Sequence, residues 1–216
     1  MKIIRIFFLF AFITCMNSIL FASPKKIIIL GDSLTEGYGV AQTAAFPALI
    51  QQKILKDKLN WELTSSGSSG STSASGLQRI KWISKNKPDV VLLLLGSNDG
   101  LRGLKTSETE KNLNSTISWA KDQNIKIILG QLYMPPNYGK KYTDDFAKIY
   151  INVAQKNKIK LLSFLLEQIA GQPEFNLSDG IHPNEKGSQV IVRRILPFVE
   201  KLIGQIKAKP ANAPTP

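Results

Sequence analysis

Nucleophilic chemistry at a side-chain hydroxyl requires a base within hydrogen-bond reach, a group that orients the base, and donors for the developing oxyanion. The chain contains one histidine, His182, so an imidazole base has one candidate. Asp179 precedes it by three residues, in a short segment with Gly180 and Ile181 that closes on Pro183. A carboxylate at that spacing can turn back to accept from the ring Nδ1, leaving Nε2 free to take a proton. Pro183 biases His182 toward an extended backbone. The competing reading is a helix start, with Asp179 or Asn184 as the cap of a helix after Glu185. A cap at Asn184 would leave Asp179 free, so both readings can hold together.

Ser33 is the candidate hydroxyl. Taken alone, Gly31, Asp32 and Ser33 are a weak signal, because the same residues make an ordinary strand-to-helix turn in which Asp32 or Ser33 merely caps the helix. For the oxyanion, Asn98 offers a side-chain amide N–H, and Gly70 offers a backbone N–H that a side chain would otherwise screen. The Ser- and Gly-rich stretch around Gly70, residues 65–71, reads by itself as a flexible connection. A phosphate-binding loop is disfavoured there, since no Lys followed by Ser or Thr closes the glycine run. Metal catalysis is disfavoured as well: carboxylates are the main donors left beside one histidine, they do not cluster in sequence, and no metal is expected.

These residues must be positioned by something. Short apolar runs alternate with longer amphipathic stretches, the pattern of strand and helix units that build a parallel sheet. Strands are predicted at residues 26–30, 61–64, 90–95, 125–129 and 160–162. The third is nearly all Val and Leu, as suits a central strand covered on both faces. Helices are predicted at about 44–58, 73–86, 106–123, 144–157 and 185–206; the last carries Val190, Ile191, Ile195, Val199 and Ile203 at helical spacing, with a kink expected at Pro197. In an open sheet of this class, ligands bind beyond the carboxyl ends of the strands. That is where Ser33, the loop of Gly70, and Asn98 fall, and the fifth strand leads on to Asp179 and His182.

With 216 residues the chain has room for one domain, expected at residues 23–206. Residues 1–22 read as a secretory signal: Lys2 and Arg5 open it, an apolar run follows from Ile6 to Met16, and small residues stand at Ala22 and Ser23. An uncleaved anchor fits less well, because Thr14, Asn17 and Ser18 interrupt a run already short of the roughly 20 apolar residues of a bilayer span. Cys15, the one cysteine, follows Ile13 and Thr14 rather than the small residues of a lipoprotein site, and leaves with the signal. The mature, periplasmic or secreted chain then has neither disulfide nor thiolate chemistry. The formal charge of +12 falls by two when Lys2 and Arg5 are removed. Its lysines are dispersed and no nucleic-acid module is present, so the charge reads as solvated surface with weak attraction to anionic membranes rather than as a nucleic-acid face. A Pro- and Ala-rich tail is expected at residues 207–216.

Taken in order, Ser33, Gly70, Asn98 and His182 resemble the four blocks that give the SGNH hydrolases their name, and Gly31, Asp32, Ser33 and Leu34 spell the GDSL signature. The stretches 96–103 and 136–142 are similar to the bacterial periplasmic branch whose members are called acyl-CoA thioesterase I, protease I, lysophospholipase and arylesterase. The resemblance covers about residues 26–202. It implies a three-layer α/β/α sandwich with a five-stranded parallel sheet (flavodoxin-like), the first strand lying between the second and third. It implies Ser33 as nucleophile, His182 as base then acid, Asp179 as the group orienting it, and an oxyanion hole from the backbone N–H of Ser33, the backbone N–H of Gly70 and the side chain of Asn98. Ser71 departs from the pattern, standing where close relatives often carry an acidic residue. No cofactor is implied, the substrate is a small-molecule or lipid ester or thioester, and a monomer is expected. Two alternatives stay open: a carbohydrate or cell-wall O-acetyl esterase, and a non-catalytic envelope binding module. The loops 100–106 and 133–142 are expected to line the acyl channel.

Overall fold

The computed structural model describes residues 23–207, so the expected signal segment and residues 208–216 of the expected tail lie outside the described residues. Five strands form one parallel sheet: β1 (Lys25–Gly31), β2 (Trp61–Ser66), β3 (Val90–Leu94), β4 (Lys126–Gly130) and β5 (Lys160–Leu162). Their order is β2-β1-β3-β4-β5, with β1 between β2 and β3 as the resemblance implied. Strand alternation explains the two cores. Ile27 and Ile29 of β1 face one cluster, Ile28 and Leu30 the other. The first cluster is closed by α2 (Phe46–Lys56) and α7 (Glu185–Lys207), and the second by α3 (Gly76–Ile83), α5 (Thr106–Asp122) and α6 (Lys140–Asn157). All five residues of β3 are buried, the expected signature of a strand covered on both faces.

The departures from the sequence-based expectation have local causes. The helix expected at 73–86 is divided into a 3-10 turn (Ser73–Ser75), α3, and a second 3-10 turn (Ser84–Asn86). The helix α6 begins four residues early, because its first turn is carried by exposed Lys140–Asp144 and Lys141–Asp145 pairs that leave no apolar period to read. Of the two one-turn helices, α1 (Ser33–Glu36) is the helix that the capping reading of Gly31, Asp32 and Ser33 allows, whereas α4 (Ser97–Leu101) is too short to show a period and was not anticipated. The helix α7 continues through Pro197, which is exposed, as is Arg193 four residues earlier; the carbonyl left without a donor is on the solvent side.

Candidate active site

Each short helix starts where a strand ends, at the same edge of the sheet. β1 runs into Gly31 and Asp32, and the Asp32 side chain caps α1 by accepting from the Leu34 backbone N–H at 3.1 Å. The capping reading of this turn is therefore correct, and it does not compete with chemistry, because Asp32 does the capping and the Ser33 hydroxyl is left to point elsewhere. It meets His182: Nε2 lies 2.8 Å from Ser33 Oγ. On the other side of the ring, Nδ1 lies 2.7 Å from Asp179 Oδ2. The second carboxylate oxygen, Oδ1, accepts from the backbone N–H groups of Ile181 at 2.9 Å and His182 at 3.0 Å.

The loop that makes this possible is short and closed. Leu177 N–H donates to the His182 carbonyl at 2.7 Å, and Gly180 N–H to the Leu177 carbonyl at 2.9 Å. Gly180 sits at φ +70°, a left-handed conformation that a side chain would strain, and this lets Asp179 fold back under the imidazole. Asn184 caps α7 by accepting from Gly187 N–H at 3.0 Å, which leaves Asp179 to the histidine, so both readings of the segment hold. Partial burial works against ionisation of Asp179, but the N–H groups of His182 and Ile181 and the imidazole outweigh it and hold the carboxyl at about 2. The Tyr38 ring lies 4.6 Å from the imidazole, centroid to centroid.

Asn98, on α4, donates its amide Nδ2 to the Ser71 carbonyl at 3.0 Å and lies 3.5 Å from Asp32 Oδ2. Asp32 also accepts from the Ser97 hydroxyl; burial pushes its carboxyl up, against those hydrogen bonds. Gly70 is exposed at φ +75°, and its carbonyl accepts from Arg102 Nη2 at 3.0 Å. A cavity of about 390 Å³ opens beside this cluster, lined by Ser33, Asn98, Ser97 and His182 together with an apolar remainder that includes Leu101, Met134 and Phe164. Gly70 is not among its lining residues. Leu101 comes from the first expected channel loop and residues 133–136 from the second, but the segment Phe164–Gly171 also contributes, which sequence reasoning missed because it has no regular element to reveal it. Among the described residues there is no group of three or more His, Cys, Asp or Glu placed to hold a metal ion.

Comparison with known proteins places the chain in a family. A model of the GDSL-like lipase/acylhydrolase family matches residues 29–190, a span that runs from Ile29 in β1 to Val190 in α7 and takes in every residue of the cluster. The chain belongs to that family. An arylesterase of Vibrio mimicus is 36% identical over 162 residues, covering 74% of this chain and 81% of the relative. The thioesterase 1/protease 1/lysophospholipase L1 of Escherichia coli K12 is 36% identical over 175 residues, covering 79% and 81% respectively. A crystal structure of the psychrotrophic esterase EstA from Pseudoalteromonas, inhibited by monoethylphosphonate, superposes with a TM-score of 0.80 at 30% identity, covering 83% of this chain and 99% of that one. This GDSL-family chain is a serine hydrolase acting on esters.

Residues beyond the GDSL signature also shape the site. Arg79 is half-buried and donates to the Gly31 and Ser66 carbonyls, the former at 2.8 Å, tying the carboxyl ends of β1 and β2 together. Its place in a generic amphipathic pattern carried no signal of that role.

Proposed function

We propose that this chain hydrolyses acyl esters or thioesters through an acyl-enzyme on Ser33, and the observation that carries the reading is the continuous Asp179–His182–Ser33 hydrogen-bond chain whose Ser33 and His182 line an apolar cavity. His182 Nε2 takes the Ser33 proton as Oγ bonds to the substrate carbonyl carbon, and the carbonyl oxygen becomes the oxyanion. The backbone N–H groups of Ser33 and Gly70 and the Asn98 amide are the proposed donors to it. Asn98 Nδ2 donates to the Ser71 carbonyl at 3.0 Å and reaches Asp32 Oδ2 at 3.5 Å, so the planar amide rotates as a unit to give an N–H to the oxyanion. The intermediate collapses as His182 returns its proton to the departing alkoxide or thiolate. Water then attacks the acyl-enzyme with His182 again as base, releasing the acid and restoring Ser33.

Substrates with an apolar acyl chain fit the lining better than acetyl esters of sugars, because a cavity of about 390 Å³ with so apolar a wall leaves acetyl with little to contact. The names of the relatives, an arylesterase and a thioesterase/lysophospholipase, support the same class. Hydrolysis of p-nitrophenyl esters from acetate to palmitate is expected to favour medium or long chains. An acetate-only profile would replace this reading with the O-acetyl esterase. Asn98→Ala is expected to lower kcat by about 10²- to 10³-fold on the preferred ester, and a near-normal rate would remove Asn98 from the oxyanion role.

We further propose that residues 1–22 direct export and are removed, and that the enzyme works as a monomer beside the membrane with weak affinity for anionic lipid. Among the described residues no helix is long and apolar enough to cross a membrane. N-terminal sequencing of the protein from an envelope fraction tests export, and a cytosolic chain still beginning at Met1 would end the proposal.

A further inference from the structure

The loop between β2 and α3 carries Gly70, and its Ser- and Gly-rich composition gives it no stiffness of its own. Two carboxylates grip it, each taking both the backbone N–H and the hydroxyl of one serine. At its far end the buried Asp99 accepts from the Ser73 backbone N–H at 2.7 Å and from the Ser73 hydroxyl. At its near end Glu36 Oε2 accepts from the Ser69 backbone N–H at 2.6 Å and from the Ser69 hydroxyl. Glu36 is the last residue of α1, the single turn that Ser33 begins. The side chain gripping the residue before Gly70 therefore rides on the same turn as the proposed nucleophile. Contact between loop and turn is close: a Cβ on Gly67 would meet the Glu36 backbone nitrogen at 2.2 Å, so only glycine lets the two backbones approach. Ser68 N–H donates to the Gly31 carbonyl at 3.3 Å and Ser65 Oγ to the Thr35 carbonyl at 2.8 Å, which completes the seam.

We propose that Glu36 is a positioning residue, whose carboxylate locks Ser69 onto the nucleophile turn and thereby sets the direction of the Gly70 N–H toward the oxyanion. The inference rests on the reading above, in which Gly70 supplies that donor. The direction of this N–H is the direction of the peptide plane joining Ser69 to Gly70. Glu36 holds the residue before that plane, and Arg102 holds the Gly70 carbonyl after it at 3.0 Å. A charged acceptor makes bonds about twice as strong as a neutral one, which suits a clamp on an otherwise loose segment. A donor held in place beforehand needs no reorganisation when charge develops, so releasing the clamp should slow the chemical step and leave ground-state binding little changed.

The test compares Glu36→Ala, Glu36→Gln, Ser69→Ala and Ser33→Ala with the wild-type protein on the preferred p-nitrophenyl ester. The same proteins are reacted with a p-nitrophenyl phosphonate, in which Ser33 Oγ bonds to phosphorus, p-nitrophenolate leaves, and the phosphoryl oxygen takes the oxyanion place. Glu36→Ala is expected to lower kcat by about 10- to 100-fold with KM little changed, and to slow phosphonylation by a similar factor. Glu36→Gln should restore much of the rate, since its amide oxygen can accept from the same two donors. Ser69→Ala, which keeps the backbone N–H, should fall between. Glu36 is only half-buried, and if Glu36→Ala loses its fold the other two clamp variants still decide the matter. A wild-type kcat in Glu36→Ala, a loss confined to KM, or a Glu36→Gln no faster than Glu36→Ala overturns the positioning role. If Ser33→Ala is inactive while Glu36→Ala is normal, the positioning inference falls alone; turnover by Ser33→Ala overturns both readings.

Discussion

Ser33→Ala is expected to abolish ester turnover, lowering kcat by about 10⁶-fold, and to remove all labelling by a p-nitrophenyl phosphonate. The size follows from the geometry: Ser33 Oγ is the hydroxyl 2.8 Å from His182 Nε2, and both residues line the apolar cavity. Without it the imidazole has no nucleophile to activate except water. The substitution should not disturb the fold, because the turn is capped by Asp32 rather than by Ser33, and alanine is well suited to the first position of a helix. Circular dichroism and the melting temperature should therefore match wild type while kcat does not. Retained turnover in the purified variant would remove Ser33 from the nucleophile role.

Asp179→Asn is expected to cost about 10⁴-fold in kcat. An asparagine here can keep its carbonyl on the backbone N–H groups of Ile181 and His182, which turns its NH₂ toward Nδ1. Nδ1 must then accept, the proton moves to Nε2, and the ring donates to Ser33 instead of receiving from it. The loop is preserved and the tautomer is wrong. A fall of less than tenfold would show that Asp179 does not govern the imidazole. The carboxylate also bears on acid stability. Its folded-state pKa, about 2, lies below the ordinary 3.8, so its contribution is fully present above 3.8 and is lost as the pH falls through about 2. Between those limits Asp179→Asn should flatten the decline of melting temperature with acid.

The class of fold was legible before any coordinates because the apolar patterning leaves little choice. The run from Val90 to Leu95 has no polar face and is rich in Leu and β-branched Val between turn signals, which fits a strand hidden between two helical layers. Residues 160–162 were placed as the structure has them, whereas the start of α6 was missed because salt-bridged lysines leave no apolar trace. His182 was conspicuous by being alone, and Asp179 by standing three residues before it.

What sequence alone determined is the set of chemically competent residues and the kind of sheet that carries them, since both depend on residue type and local period. What only the tertiary structure decided is which of those residues meet. Ser33 and His182 are 149 positions apart, and their 2.8 Å contact exists because β1 and the loop before α7 end at one edge of a single sheet. The grip of Glu36 on Ser69, 33 positions away, and the share of the segment Phe164–Gly171 in the cavity have the same origin. Contacts of that range are set by strand order and helix packing, quantities distributed over the whole core, and no window along the chain contains them.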